Sequence, residues 1–537
     1  MTSGNYSRAR LRDSIAIRPF SEDSLRRLSI LIISAISCIL FGVAAMRLNS
    51  RFSLLQAQAA QPQTVQPTAV AAAMPQAADL KPVSATLSTT TKTPEISSPL
   101  LSSPAGTQIY TAKRGDTIPA LAHQYLKNTS YLTSSELADS IRNVNGDHTG
   151  NILRAGEQIT IPGILPAPIV EHTVPVAKDF EVRAIYLTGI MAASDHGLRI
   201  IRHWREVGGN AVVFDIKDSD GSVNIPFEHP LLGKHQVYIH DLPKFVHFLH
   251  SENMHAIART AIFRDERMVV AHPELAVQSK RSKQPWRENG KLVWTDSSNP
   301  KVQDYNIALA KFVAQSGADE IQFDYVRFPA EGDQKDASFV YQTEQNKEKW
   351  QRSDVITDFL KKAYAELHPT GVLLSLDVFG VMAWQRSVDL SHTGQDIVGM
   401  AKYCDVLSPM IYPSHFFGMD GIEHPGDAPE HFIGESMQRF ELITKGSGVT
   451  IRPWLQAFRW RTKTYSPEYI KVQVATAKEK GGIGFLFWNA ANDYSKPYEA
   501  MPEMKAAKEK YFRGDELPGV TVRASLTPPA KPAAAAH

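Results

Sequence analysis

Hydrophobic and polar positions fall into distinct regimes along this chain. Residues 28–46, LSILIISAISCILFGVAAM, run without a charge. As a helix the run would span roughly 28 Å, close to the ~30 Å hydrocarbon core of a bilayer, which predicts a transmembrane segment. Residues 49–106 lose all periodicity and are rich in Ala, Pro, Gln, Ser and Thr. Such a segment buries too little apolar surface to offset its ordering entropy, so it is expected to be a disordered linker. Residues 107–163 read as a small βααβ unit, with a turn at Arg114-Gly115-Asp116-Thr117, Thr117 as helix N-cap, and a last strand Gln158-Ile159-Thr160-Ile161.

From Val182 onward short β-rich runs alternate with amphipathic helical stretches such as 300–316 and 354–367. The runs are 182–190, 210–217, 255–263, 320–328, 372–380, 405–413, 451–458 and 482–489. Eight strands alternating with helices over 180–514 predict a (β/α)₈ TIM barrel. A doubly wound open sheet fits less well, because the first strand is followed by Thr188-Gly189-Ile190-Met191 and not by a Gly-rich phosphate loop.

In such a barrel the site lies at the C-terminal strand ends. Polar residues inside apolar strands therefore carry the information. In the fourth strand Gln322 and Asp324 share one face, opposite Ile321, Phe323 and Tyr325; in the fifth, Ser375 and Asp377 share one face. The apolar faces should pack on the helices, which turns both carboxylates into the lumen. Two carboxylates on neighbouring strands repel, which raises one pKa and keeps the other ionised. That suits a general acid beside a nucleophile or base. Asp324 is assigned nucleophile or base and Asp377 general acid. Asp215, Lys217 and Asp218 at the end of the second strand, with Arg259, Arg327, Tyr412, His415, Gln456 and Trp488, are assigned to substrate binding.

Composition narrows the partners. With 43% hydrophobic and 21% charged residues the chain is ordinary globular material, and a net charge of +2 gives no nucleic-acid footprint. Cys38 and Cys404 cannot build a disulfide scaffold or a zinc site. The excess of Arg before residue 28 puts the 1–27 tail in the cytoplasm and the later domains in the periplasm or outside the cell. A cleavable signal peptide is the alternative, but its apolar region would be shorter, ~7–15 residues. The 517–537 tail, rich in Pro and Ala, is expected to be disordered. Asp218-Ser219-Asp220-Gly221 opens like a calcium loop, but His229 stands where the bidentate Glu belongs. His240, His247 and His250 are placed on a solvated helix, and no HExxH spacing occurs. No metal or cofactor is expected, and oligomeric state is left open.

Two resemblances add to this reading. Tyr110-Thr111, Gly115-Asp116-Thr117, Leu121-Ala122, 143–145 and Leu153-x-x-Gly156-x-x-Ile159-x-Ile161-Pro162 resemble the LysM family. The resemblance implies binding of peptidoglycan or related N-acetylglucosamine glycans through Gly115, Asp116, Thr117, Ile152 and Leu153. Residues 181–500 resemble a bacterial family of glycoside-hydrolase-like TIM barrels with poorly known substrates. Its matching motifs are Phe214-Asp215-Ile216-Lys217-Asp218-x-x-Gly221, Ala258-Arg259, Phe263-x-Asp265, Trp294-x-Asp296-x-x-Asn299-Pro300, 319–329, Gly394-Gln395-Asp396 and 408–415. The resemblance implies a barrel acting on a polysaccharide. A non-catalytic glycan receptor or envelope organiser on a degenerate barrel is the alternative.

Overall fold

The computed structural model describes residues 106–146, 151–345, 347 and 349–506. The apolar run 28–46, all of the expected 49–106 linker except Gly106, and the expected 517–537 tail lie outside the described residues. Among the described residues no helix is long and apolar enough to cross a membrane.

Eight parallel strands close into a barrel. In order they are Val182–Leu187, Ala211–Lys217, His255–Ala261, Glu320–Asp324, Leu373–Phe379, Val406–Ile411, the split strand Thr450–Ile451 and Trp454–Gln456, and Gly484–Trp488. The eighth strand pairs with the first (Gly484 beside Val182), and the fifth pairs with the sixth (Asp377 beside Ser408), so no edge is left open. The seventh strand breaks at Arg452-Pro453, where Pro453 has no N–H to give the ladder. Helices follow the strands as the pattern predicts, for example Pro300–Gln315, whose first turn is capped by the Asn299 side chain with Pro300 where a missing N–H costs nothing. The outward strand faces meet these helices through rings, as in Phe214 on Phe245 at 5.0 Å and Phe323 on Phe359 at 6.0 Å.

Several strands end earlier than the sequence pattern suggests, and one ending matters. The fourth stops at Asp324 because Tyr325 takes φ +53, a left-handed backbone that turns the chain at the barrel mouth.

The second strand also carries a register shift between Asp215 and Lys217. Lys217 is consequently fully buried, with Nζ 2.8 Å from Asp265, 2.9 Å from Asn306 Oδ1 and 3.2 Å from the Ile262 carbonyl. It fastens strand to helix and does not reach the mouth. Gly221 completes this lock. Its φ is +91, and a Cβ there would stand 1.9 Å from Asp265 Oδ1. Gly221→Ala is therefore expected to lower the thermal unfolding midpoint by several degrees, since it both strains the backbone and pushes Asp265 off a buried lysine. An unchanged midpoint in a melting curve would refute this.

The opposite end of the barrel holds a buried ion network. Glu171, in the segment leading into the barrel, meets His247 at 2.8 Å and His250 at 3.2 Å. His250 also meets Asp319 at 2.9 Å. His255 lies 3.2 Å from Glu320, and Glu320 lies 2.8 Å from Arg452. This corrects the solvated-helix reading of the histidines: His250 is buried, because Leu242–Ser251 turns that face onto the barrel. Burial alone would raise Glu171, but hydrogen bonds from His247 and His250 hold it at about 2. Burial alone would lower His250, but Asp319 and Glu171 lift it to about 9.

Residues 106–164 form their own small core. Strands Gly106–Thr111 and Gln158–Ile164 pair antiparallel, with helices Ile118–Tyr125 and Ser134–Val144 between them. Leu121, Leu137, Ile141, Leu153, Ile159 and Ile161 fill the centre. The unit is fastened to the barrel by Lys244, whose Nζ donates to the carbonyls of Leu126 (3.0 Å) and Tyr131 (3.1 Å), and by Arg202 on Glu136 at 2.8 Å.

Candidate active site

Strand register builds the site. Phe323 pairs with Leu376, so the next inward positions, Asp324 and Asp377, lie side by side on neighbouring strands. Asp215 pairs with Arg259 across the second and third strands. The four side chains converge at the C-terminal end of the barrel. The Arg259 guanidinium stands 2.5 Å from Asp215, 2.6 Å from Asp324 and 3.8 Å from Asp377.

One cation among three buried carboxyls cannot neutralise them all. Electrostatics therefore requires that protons remain on part of the cluster at neutral pH. Asp377 is 1% exposed; burial first, and then the charge of Asp324, push its carboxyl well above the ordinary range. Burial also raises Asp215, to about 7, against the pull of Arg259. Asp324 is held from both oxygens: Oδ2 accepts from Arg259, and Oδ1 accepts the N–H of the left-handed Tyr325 at 2.6 Å. Both Asp324 oxygens are thus engaged by donors, beside a carboxyl, Asp377, that burial pushes toward its protonated form.

Aromatic side chains orient the carboxyls and wall the site. The Trp454 indole N–H donates to Asp377 at 2.6 Å, and the Tyr186 hydroxyl donates to Asp215. Tyr412 lies 5.7 Å from the Trp488 ring and 5.6 Å from Phe458. Trp488 in turn lies 6.4 Å from Tyr186, stacked. Tyr186 is absent from the residues singled out by sequence. Its position, in phase with Ala184 on the lumen face of the first strand, was the available signal.

The family model described as "Putative glycosyl hydrolase domain" matches residues 184–494, more than half of the chain. The chain belongs to this family. None of the curated proteins matches it. Among solved structures, a hypothetical protein from Ruminiclostridium thermocellum ATCC 27405 is 35% identical, over 36% of this chain and 97% of that one, with a TM-score of 0.32. The PgaB (BpsB) glycoside hydrolase domain from Bordetella bronchiseptica is 13% identical, over 62% of this chain and 99% of that one, with a TM-score of 0.47. Alpha-L-fucosidase isoenzyme 2 from Paenibacillus thiaminolyticus is 13% identical, over 62% and 49%, with a TM-score of 0.42.

The glycosyl hydrolase-like barrel gathers part of the sequence-derived set. Asp215, Arg259, Asp324, Asp377, Tyr412 and Trp488 come together, and Asp218 stands close enough to raise Asp215 further. His415 borders this group, 5.5 Å from Tyr412; burial, and then Arg461, hold its imidazole down at about 4, so it is neutral above mildly acidic pH. Lys217 is excluded by its buried lock. Gln456 is also fully buried: its amide donates to the Phe458 carbonyl at 3.0 Å and accepts from Ser414 N at 3.2 Å, so it ties two mouth loops together. Arg327 pairs with no carboxylate among the described residues. Its guanidinium carbon lies over the rings of Phe379 (4.5 Å), Trp294 (4.6 Å) and Tyr325 (5.3 Å).

In the small unit the two loops assigned to glycan binding are adjacent. Thr117 bridges Ile152, and Leu153 N donates to the Asp116 carbonyl at 3.0 Å. Ile152 is 80% exposed, whereas Leu153 is 4% exposed and belongs to the core, which removes it from any binding surface. Asp116 faces inward to its own loop, accepting from Tyr110 OH and Lys113 N at 2.7 Å each.

Proposed function

We propose that the protein is a membrane-anchored envelope glycoside hydrolase, held by residues 28–46 with its N-terminus in the cytoplasm and its folded domains in the periplasm or outside the cell. Asp377 donates a proton to the leaving oxygen, and Asp324 acts as nucleophile or base at the sugar carbon. Residues 107–163 act as a LysM-type module that binds peptidoglycan and presents the barrel to its polysaccharide. The single observation that carries the catalytic reading is the side-by-side pair Asp324 and Asp377 on one arginine, with burial keeping Asp377 protonated. Neighbouring strands lie ~4.8 Å apart, close to the ~5–5.5 Å between carboxyls in retaining enzymes.

A second reading, a non-catalytic glycan receptor, is favoured by the depth of the cluster: Asp215 is 0% and Asp377 1% exposed. One experiment separates the two. The full chain in detergent is incubated with peptidoglycan and a panel of envelope and extracellular polysaccharides, and released fragments are read by mass spectrometry beside Asp324→Asn. Fragments from the wild type alone support the hydrolase. Retention on a glycan in a pull-down, with no fragments from any substrate, supports the receptor. Activity that is abolished by a chelator would replace both carboxylate roles with metal chemistry.

A further inference from the structure

The loops after the sixth and seventh strands enclose a cavity of about 510 Å³ at the mouth end of the barrel, lined among others by Phe417, Asp427, Arg459, Trp460, Arg461 and Lys463. Three cations occupy alternate positions of one short segment, and none makes an ion pair with a carboxylate among the described residues. Arg461 lies 4.0 Å from the centre of the Phe417 ring and 4.7 Å from that of Trp460. A ring face holds a guanidinium in place without neutralising it, and leaves its in-plane N–H groups free for an oxyanion. The backbone of Arg461 is also left-handed, with φ +47, a conformation that costs energy in a non-glycine residue and recurs at ligand sites.

The two acidic residues of the lining offset this charge only in part, against three cations. Asp427 is turned onto the same loop, accepting from Lys463 N at 2.7 Å, Thr462 Oγ1 at 2.9 Å and Thr464 N at 3.1 Å. It shapes the segment that carries the cations. Glu423 stands 3.9 Å from His424, with its side chain 88% exposed to solvent.

A chain of rings joins this cavity to the carboxylate cluster. Tyr412, beside Asp377, meets Phe458 and His415; His415 meets Trp460 at 4.7 Å; Trp460 meets Phe417 at 5.9 Å. Aromatic faces in sequence suit successive sugar rings, and cations at the far end suit an acidic one. We propose that this cavity is a subsite for a carboxylate-bearing sugar, and hence that the barrel's substrate is an acidic glycan. The proposal rests on the reading of the barrel as a glycan-cleaving domain.

The test is a binding measurement, so it does not depend on turnover. Full-length protein in detergent carries Asp324→Asn to prevent cleavage. It is titrated by calorimetry with hyaluronan, polygalacturonate and peptide-free peptidoglycan strands, and with the same three glycans after chemical reduction of their carboxyls to alcohols. At least one carboxylated glycan should bind about tenfold or more tightly than its reduced form, as expected for charge-assisted hydrogen bonds. That preference should shrink as salt is raised. Arg459→Gln with Arg461→Gln should bring the two affinities to within about twofold, leaving the affinity for the reduced form unchanged. Equal affinity for all three pairs overturns the proposal without any mutant, and so does a preference that survives the double substitution. Charge-dependent binding with no cleavage by the Asp324-intact chain would instead uphold the subsite and remove the hydrolase reading.

Discussion

Asn in place of Asp377 is expected to lower kcat by about 10²–10⁴-fold, the range lost with a general acid, while the thermal unfolding midpoint holds or rises. The substitution is close to isosteric. The Asn carbonyl oxygen can still accept the Trp454 indole N–H that now reaches Asp377 at 2.6 Å. What disappears is the proton. Stability moves the other way because burial, followed by the Asp324 charge, raises the folded pKa of Asp377 above its unfolded value. A group raised in this way contributes fully below the unfolded pKa and costs stability as pH rises toward the folded one. At neutral pH an amide escapes that cost. The wild-type rate should accordingly fall as Asp377 gives up its proton, at a pH well above the range of an ordinary carboxyl. A variant that keeps its rate within about threefold would remove Asp377 from the acid role, and one that melts well below the wild type would make the residue structural. The opposed movement of rate and midpoint is what a merely structural carboxyl would not produce.

The barrel itself is legible because strand and helix periods differ and repeat eight times. Alternation within the fourth and fifth strands identifies Asp324 and Asp377, since a carboxylate in phase with a strand's inward face has nowhere else to go. The same logic fails at Lys217, where a register shift after Asp215 turns the side chain from the lumen to buried Asp265 and to Asn306 on the helix Pro300–Gln315. A bulge leaves no mark in a hydrophobic pattern. Several motif residues prove to be joints. Asp265 holds Lys217, Asp296 accepts from Ser298 and from Val340 N, Asn299 and Asp396 cap helices, and Gln395 accepts from Phe379 N. Their spacing in the chain carries the fold, and the chemistry falls to the few inward positions left over. Glu171 and His250, 79 positions apart in the chain, meet only through tertiary structure, so nothing local announces them.

That contact carries the second large effect. Glu171→Gln is expected to destabilise the protein by about 3–5 kcal/mol, because it removes one partner from a buried ion network and leaves charge uncompensated. The loss should depend on pH in a definite way. Glu171 is held at about 2 in the fold against 4.5 in an unfolded chain, so its contribution is complete above pH 4.5 and disappears as pH falls through 2. His250 is lifted to about 9 against 6.5, so its share is complete below pH 6.5 and disappears as pH rises through 9. The two windows overlap between 4.5 and 6.5. The difference in urea unfolding free energy between wild type and variant should be largest there and shrink on either side. A difference that stays flat across the whole range would mean that packing, and not charge, is lost. Glu171 lies in the segment that joins the small unit to the barrel, and Thr173 and Val174 of the same segment bond to Ala318 and Asp319 at the base of the fourth strand. The network therefore couples the seating of that segment to the strand that ends in Asp324, and loosening it at high pH should free the connection before the mouth is disturbed. Limited proteolysis between the small unit and the barrel, rising above about pH 9 in the wild type and already present at neutral pH in Glu171→Gln, would show that order of events.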